Sequence, residues 1–397
     1  MIAGVFYFCQ GFYTAGFVMY VTVFAVEVSK LSFETIALLN ATVVAPVFLK
    51  MIPLAFCDRY PVGKYGRRRP YMLISAAVYA LCFAVLSQIT TFNFLWLAMV
   101  VISMIAWVVA DGSFDGLTVD ATPHGKAGVM QGVAWGGRGL GAALGGLIFA
   151  FMATGIDWSI IVLITGLFAI LQCLSGIIIR EPKVTKERIA SVREFKRVFG
   201  RRETQVGLVY IFLASAGLAV SETLASSYFK TQGQISDMLL GVTIALVNSG
   251  IFVGSLVFGF VSDKTGTRRA LIFGNIFGVT ACLLLASVMP EQILWLMVSA
   301  FLIGAFQGAQ MTSLLRMYME LSPAAIGGTM FATYTSIGNA GMALLGSLTI
   351  SIVSSMVGAA YSMLSVIPYV LLASLMIPLM KLQPKRSKPQ DDNSSKR

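Results

Sequence analysis

The chain has 397 residues, of which 57% are hydrophobic and only 12% are charged. A soluble globular domain carries roughly 25% charged residues, so the composition excludes a water-soluble protein with one core. The net charge of +11 comes from basic loops between apolar runs, which indicates membrane topology and not nucleic-acid binding. We therefore expect an integral membrane protein whose main solvent is the lipid bilayer and which has no nucleic-acid partner.

Twelve apolar stretches are long enough to cross a bilayer as helices, because about 20 apolar residues span its hydrocarbon core. A closed barrel would instead show segments of alternating polarity. In chain order, the predicted spans are 3–26, 35–57, 70–89, 94–118, 128–152, 158–179, 205–227, 238–261, 269–289, 292–316, 327–353 and 357–380. The predicted fold class is all-α integral membrane, with twelve transmembrane helices.

Lys and Arg concentrate in the loops after the second, sixth and eighth spans and in the C-terminal tail. Basic loops stay on the cytoplasmic side of a membrane. We therefore expect a multi-pass protein of the plasma or inner membrane, with both termini in the cytoplasm. Anionic lipid of the cytoplasmic leaflet is the expected neighbour of these loops.

The spans fall into two groups of six. We expect an N-terminal bundle at 1–179, a basic cytoplasmic linker at 180–204, a C-terminal bundle at 205–380 and a cytoplasmic tail at 381–397. The linker stretch "KERIASVREFKRVFG" has apolar residues at helical spacing, which predicts an amphipathic helix at the membrane interface. Docking of a soluble partner is the alternative for this helix.

The two halves repeat one another. "VDATPHGKAGVM" (119–130) aligns with "MELSPAAIGGTM" (319–330), and Asp58 and Asp263 each end a span before a basic cluster. Parallel repeats of this kind predict two pseudo-symmetric six-helix bundles around an axis along the membrane normal, with a cavity between them.

The charged turn carries a resemblance to a known family. Asp58-Arg59 is followed by Gly66-Arg67-Arg68, and the second copy, "GFVSDKTGTRR" (259–269), shows the same order. Together with twelve spans and a long central loop, these turns resemble those of the major facilitator superfamily. The first copy lacks the usual upstream glycine and contains extra residues. "DRYPVGKYGRRR" is similar to the muropeptide and acetyl-CoA transporter group, and "RRRPYMLIS" to folate/biopterin-type and glycoside-cation carriers, so the sequence assigns no substrate.

The resemblance implies that the charged turns act as a cytoplasmic latch that favours an outward-open state. Asp58 would bind N–H groups at the start of the eleventh span, Arg67 would pair with Asp120, and Arg268 with Glu320. The alternative is that the arginines only set topology or bind lipid phosphate. The candidate latch residues are Asp58, Arg59, Gly66, Arg67, Asp120, Asp263, Gly266, Arg268 and Glu320.

Charged residues inside spans are costly in lipid and mark either function or structural ion pairs. With a rise of about 1.5 Å per residue, Lys50, Asp111 and Arg138 share one layer, and Asp115 lies one turn from Asp111 on the same face. These acids could exchange a proton while the basic groups hold an anionic substrate, or the group could simply tie three helices together. Glu222, in the seventh span, is a second candidate proton carrier; the alternative is a neutral, hydrogen-bonded acid.

Polar residues on the spans that line the cavity in this family complete the candidate substrate site. Amides in hydrocarbon need partners, so bonding between helices is the alternative for each of them. These residues are Gln10, Tyr13, Asn248, Gln307 and Gln310, with Tyr334 and Asn339 as weaker choices.

Catalytic and metal-binding patterns are missing from the sequence. The five cysteines show no CxxC spacing, and the glycine-rich stretches lack the Lys-Ser/Thr of a phosphate loop. We expect no enzyme, no cofactor and no metal. The expected function is secondary active transport of a small organic solute, anionic or zwitterionic, by alternating access in a monomer, coupled to protons or another ion. The alternative is a transporter-like scaffold, receptor or assembly factor.

Overall fold

The computed structural model describes residues 1–23, 39, 42–43, 45–62, 66–123, 125–152, 157–179, 181, 192–219, 237–287, 292–323, 326–380 and 382. Their regular secondary structure is helical, and these residues contain no β-strand. Seven of the described helices are long and apolar enough to cross a membrane. These findings confirm the predicted all-α membrane class.

The described residues of the first half form six helices. They are α1 Ile2–Val23, α2 Met51–Arg59, α3 Arg69–Leu86, α4 Phe94–Ala121, α5 Ala127–Met152 and α6 Trp158–Ile177. Helix α1 lies against α5 and α6, and α3 lies against α4 and α6.

The second half begins after a short linker helix. The linker helix is α7 Val192–Phe199. The described α-helices that follow it are α8 Arg202–Ala216, α9 Asp237–Thr265, α10 Thr267–Ala286, α11 Ile293–Leu321, α12 Gly327–Ala340, α13 Leu348–Val357, α14 Ala359–Ser362 and α15 Ile367–Met376. Helix α11 packs on α9 and α10. The halves meet where α5 packs on α9 and where α12 packs on α2 and α4.

The predicted second span, 35–57, is not one continuous helix. A turn at Leu49 and Lys50 precedes α2. Pro53 has no N–H group and cannot donate to the Leu49 carbonyl, as a continuing helix would require. The N–H of Ile52 donates a hydrogen bond to that carbonyl instead, at 2.9 Å. The break places Lys50 at the joint between two helical segments, inside the protein.

The eleventh predicted span contains a π-helical segment, Gly341–Ser347, which joins α12 to α13. A side chain at Gly341 would place its Cβ 2.2 Å from the carbonyl oxygen of Phe212. Only glycine therefore allows α8 to approach this closely. Such π-helical insertions occur frequently at functional sites.

Helix α7 lies where the linker pattern predicted an amphipathic helix, but its apolar face is covered by protein. Val198 is fully buried, and Phe195 and Phe199 pack against the core of the second half. The helix therefore docks on the bundle with its apolar side and leaves Lys196 and Arg197 on the other. Ile189, the first apolar residue of the predicted amphipathic stretch, lies outside the described residues.

Glycines bring the helix backbones into contact within each half. A Cβ on Gly141 of α5 would lie 2.0 Å from the carbonyl oxygen of Phe8 on α1, and one on Gly304 of α11 would lie 1.9 Å from that of Val247 on α9. Small residues permit this close packing in membranes, where no hydrophobic effect drives helices together.

We predict that Gly141→Ala lowers the thermal unfolding midpoint in detergent, because overpacking costs about 1–3 kcal/mol. Gly146→Ala on the same helix is the matched control, since a Cβ there meets nothing within 4 Å. The control should unfold at or slightly above the wild-type midpoint, because alanine is the better helix former. Intrinsic fluorescence measures the unfolding midpoints. Equal midpoints for the two variants would contradict the close contact.

Candidate functional site

Lys50 lies between two carboxylates of α4. Its Nζ is 2.5 Å from Asp111 Oδ2 and 2.7 Å from Asp115 Oδ2. The two acids share one helix face because they are four residues apart. All three residues are buried, so the ion pairs form where unpaired charges would cost several kcal/mol.

Helix α1 binds the remaining oxygen of each carboxylate. Gln10 Nε2 donates to Asp111 Oδ1 at 2.5 Å, and the hydroxyl of Tyr7 donates to Asp115 Oδ1. Tyr7 was not among the predicted site residues, although its i,i+3 spacing from Gln10 places the two on one helix face. Lys50, Asp111, Asp115, Gln10 and Tyr7 form what we call the buried charge cluster.

A cavity of about 400 Å³ lies between the halves, with the buried charge cluster on one wall. Helices α1, α4 and α5 and the segment before α2 supply that wall, and α11, α12 and the π-helical segment supply the opposite one. First-half lining residues include Tyr13, Lys50, Trp107, Asp111, Asp115 and Arg138; second-half lining residues include Met311, Leu315, Phe331, Asn339 and Met342.

Arg138 has no ion pair with any other described residue. Its guanidinium lies over the ring of Trp135, 4.6 Å from the centroid. The same two residues line a second cavity of about 220 Å³, together with Asn248 and Gln307. Arg138 therefore lies where the two cavities meet, with hydrogen-bond donors left over for a ligand.

Two of the predicted polar residues lie away from these cavities. Gln310 donates to Asn275 Oδ1 at 2.8 Å, and Asn275 donates to Ser374 Oγ at 2.8 Å. This buried network joins α10, α11 and α15. For Gln310 it matches the alternative of bonding between helices. Tyr334 is fully buried within the second half. Glu222 lies outside the described residues.

The aspartates near the ends of α2 and α9 accept hydrogen bonds from the opposite half. Asp58 Oδ2 accepts the N–H and the hydroxyl of Thr329, at 2.8 and 2.7 Å. Asp263 accepts the N–H groups of Gly128 and Val129, both at 2.8 Å. Each carboxylate thus caps the start of a helix in the opposite half, where unpaired N–H groups and the helix dipole favour an anion. We call this end of the molecule the latch end.

Two loop arginines complete the first copy of the latch. Arg67 lies 2.7 Å from Asp120, and Arg68 lies 2.7 Å from Asp58. Arg68 is fully buried between Gly116 and Gly328, where added Cβ atoms would come within 2.3 and 2.0 Å of its guanidinium. Arg68 was not among the predicted site residues, because "GRRR" does not show which arginine points inward.

The second copy takes its arginine from a helix, which corrects the expected pairing of Arg268 with Glu320. Arg268 is exposed. Glu320 instead pairs with Arg316 of α11 at 3.1 Å and accepts the hydroxyl of Thr267 at 2.6 Å. Arg316 also pairs with Asp263 at 2.8 Å.

The repeat explains why the second copy uses an arginine from a helix and the first copy uses one from a loop. Arg316 lies 200 residues after Gly116, so it is the equivalent residue of the second half. The first half keeps glycine at that position and fills the space with loop Arg68, whereas the second half fills it directly from α11.

The remaining predicted latch residues occupy the turns themselves. Gly66 and Gly266 have φ angles of +105° and +87°, which favour glycine. Arg59 is exposed at the end of α2. Beside Gly66, the carboxylate of Glu181 accepts the N–H groups of Arg67 and Arg68 at 2.8 and 3.0 Å, and so caps α3.

The family model of the Major Facilitator Superfamily matches residues 1–146, 64–236 and 208–397, which together cover the chain. The chain belongs to the major facilitator superfamily. Twelve spans are consistent with the fold of this superfamily, and its members are transporters, so the prediction that the chain is not an enzyme is confirmed.

Individual relatives are distant. Solute carrier family 2, facilitated glucose transporter member 5, of Oryctolagus cuniculus is 29% identical over 118 residues, or 28% of this chain and 24% of that protein. The chain thus matches about a quarter of that relative's length. Two solved structures share the fold over most of both chains. The human organic anion transporter MFSD10 (TETRAN) is 16% identical with a TM-score of 0.70, covering 95% of this chain and 98% of that one. FucP in its outward conformation is 12% identical with a TM-score of 0.75, covering 96% and 98%.

We predict that Asp58→Asn exposes Cys57, which is buried next to the latch against Ala332 of α12. Loss of the charge-assisted bonds to Thr329 costs about 1.5–3 kcal/mol, enough to raise the open population about tenfold or more. The measurement is the rate at which a maleimide labels Cys57, read by peptide mass spectrometry.

Asp157→Asn is the control, since Asp157 caps α6 through the N–H of Ser159 and has no bond to the latch. Its labelling rate should equal that of the wild type. A rate unchanged by Asp58→Asn would show that Asp58 does not hold the halves together at this end.

Proposed function

We propose that the chain is a secondary active transporter that moves a small organic solute by alternating access, coupled to protons. The observation that supports it best is the position of the buried charge cluster, which lies on the wall of a cavity between two pseudo-symmetric halves. Rocking of one half against the other would expose such a midplane cavity to either side of the membrane in turn.

The buried charge cluster suits proton binding because its charges do not balance. Lys50 contributes +1, while Asp111 and Asp115 together contribute −2, so the fully ionised cluster carries −1. One proton on either carboxylate brings it to zero. Because a net charge is costly inside a membrane protein, proton uptake and release change the electrostatic free energy of the cavity. Glu222 is retained as a second proposed proton carrier.

The free guanidinium of Arg138 supports an anionic or zwitterionic solute. Asn248 and Gln307 line the adjoining cavity and offer further hydrogen-bond partners, and Tyr13 lines the main one. A human organic anion transporter shares the fold, at 16% identity.

The latch end is proposed to face the cytoplasm, because the basic loops lie there. On that basis the closed latch favours an outward-open state. We further propose the division into bundles at 1–179 and 205–380, with the linker at 180–204 and a tail at 381–397, and a monomer in the plasma or inner membrane.

Proteoliposomes with a pH-sensitive dye inside test the proposal on a panel of acidic, zwitterionic and neutral solutes. A transported solute should acidify the lumen of wild-type vesicles. Asp115→Asn should lose the pH change and still exchange labelled solute, because substrate binding at Arg138 is kept. Asp111→Asn and Glu222→Gln show whether these acids share the role, and Asp157→Asn is the control that should behave as wild type.

Two results would contradict the proposal. Solute uptake without any pH change in the wild type would indicate a uniporter or another coupling ion. No movement of any solute on the panel would favour the scaffold alternative.

A further inference from the structure

We infer that the cavity takes a monovalent organic anion with an apolar body, its acid group bound by Arg138, and that it does not take a sugar. The inference rests on the proposed transport function and names its substrate class. Four features of the cavity support it: its two unlike walls, the engagement of its polar groups, the free guanidinium and the balance of charge.

The walls of the cavity differ because the repeat is not chemically symmetric. Met311 and Leu315 lie 200 residues after Asp111 and Asp115, at the equivalent positions of α11. Both line the cavity. Where the first half presents carboxylates, the second half therefore presents a thioether and an aliphatic side chain. The described lining residues of the second half include no charged side chain.

Several polar side chains of the cavity already have partners within the protein. Lys50 and Tyr7 are bound to the two carboxylates. The hydroxyl of Thr14 donates to the Gln10 carbonyl at 2.8 Å, and that of Thr335 donates to the Phe331 carbonyl at 2.9 Å. Sugar hydroxyls placed against these four side chains would be left unpaired, at about 1–3 kcal/mol each. This part of the wall therefore matches a neutral polyol poorly.

Arg138 provides the opposite kind of group, a cation whose described contacts include no anion. A guanidinium binds a carboxylate through two parallel hydrogen bonds. Its stacking on Trp135 holds the plane of the guanidinium and leaves the edge for a ligand. Across the cavity, Met311, Phe331 and Met342 offer apolar and sulfur contacts that suit an aromatic ring.

Charge balance indicates a single negative charge. Lys50 and Arg138 contribute +2 and the two aspartates −2, so one proton on the buried charge cluster leaves the described lining at +1. A monovalent anion then brings the loaded cavity to zero. A dianion would leave −1, and the cationic group of a zwitterion would find both carboxylates already bound to Lys50. The volume of about 400 Å³ is that of a small-molecule site.

The test is isothermal titration calorimetry of the purified full chain with four probes. Phenylacetate carries both features, phenylacetamide has the same shape without the charge, acetate has the charge without the ring, and D-glucose has neither. Phenylacetate should bind about tenfold or more tightly than phenylacetamide and acetate, since a charged hydrogen-bonded pair and a buried ring each contribute at least that much. Glucose should show no binding.

Variants separate the two recognition elements. Arg138→Gln should remove the preference for phenylacetate over phenylacetamide, and Arg138→Lys should keep part of it. Met342→Gln should weaken phenylacetate and leave acetate unchanged. Arg197→Gln, which removes an exposed arginine of the linker helix α7 outside the cavity, is the control and should match the wild type. Thermal unfolding of each variant verifies that it is folded. If the Arg138 variants do not fold, the Met342 variant still tests the apolar part of the inference.

Equal affinities for phenylacetate and phenylacetamide, binding of glucose in preference to phenylacetate, or no binding of any probe would each overturn the inference. The proteoliposome assay distinguishes this failure from failure of the proposed function. Protons that move with glucose would retain the transporter and overturn the substrate class. Phenylacetate binding without transport of any solute would retain the binding site and overturn the transporter.

Discussion

A lysine ammonium buried in a membrane span must be paired, and the pairing of Lys50 organises the first half of this protein. The break before α2 places Lys50 inside, and two carboxylates of α4 neutralise it. Helix α1 then binds the outer oxygens of both acids through Gln10 and Tyr7. Helices α1 and α4 and the turn before α2 are thus held together by polar contacts at the depth where lipid offers none.

The second half keeps the repeated scaffold and changes the chemistry. Its buried polar network of Asn275, Gln310 and Ser374 is neutral and lies behind the cavity wall. The cavity therefore has one charged wall and one wall whose described residues are uncharged and mainly apolar, although both come from equivalent helices. The latch shows a similar exchange, because Arg68 reaches its site from a loop whereas Arg316 occupies the equivalent site from a helix. The two halves keep the same backbone arrangement despite these differences in side chains, since glycine at position 116 leaves the space that Arg68 fills.

The architecture could be predicted from the sequence because hydropathy and charge report directly on the bilayer. The spacing of Asp111 and Asp115 predicted their common face, and the family resemblance implied the contact between Arg67 and Asp120. The direction of side chains at helix breaks and in loops could not be predicted in this way. The turn at Lys50 depends on one missing N–H group, and adjacent arginines at 67 and 68 have the same sequence pattern.

The polar residues of the spans show the same limit. Gln307 lines a cavity while Gln310, three residues later, bonds to α10 instead. Both amides suit either environment, so helical spacing alone could not separate a ligand-binding position from a structural one. Tyr7 was missed for a related reason: a tyrosine in an apolar span is compatible with packing alone, and only its contact with Asp115 distinguishes it.

The central claim is that the buried charge cluster takes up a proton, and infrared difference spectroscopy of the purified protein tests it most directly. Acidification should produce the carbonyl stretch of a protonated carboxylic acid that is shielded from hydrogen–deuterium exchange. That band should be present in Glu222→Gln and absent when Asp111 and Asp115 are also replaced by asparagine. A band that Glu222→Gln keeps and the triple variant also keeps, or no such band at any pH at which the wild type is folded, would contradict the account.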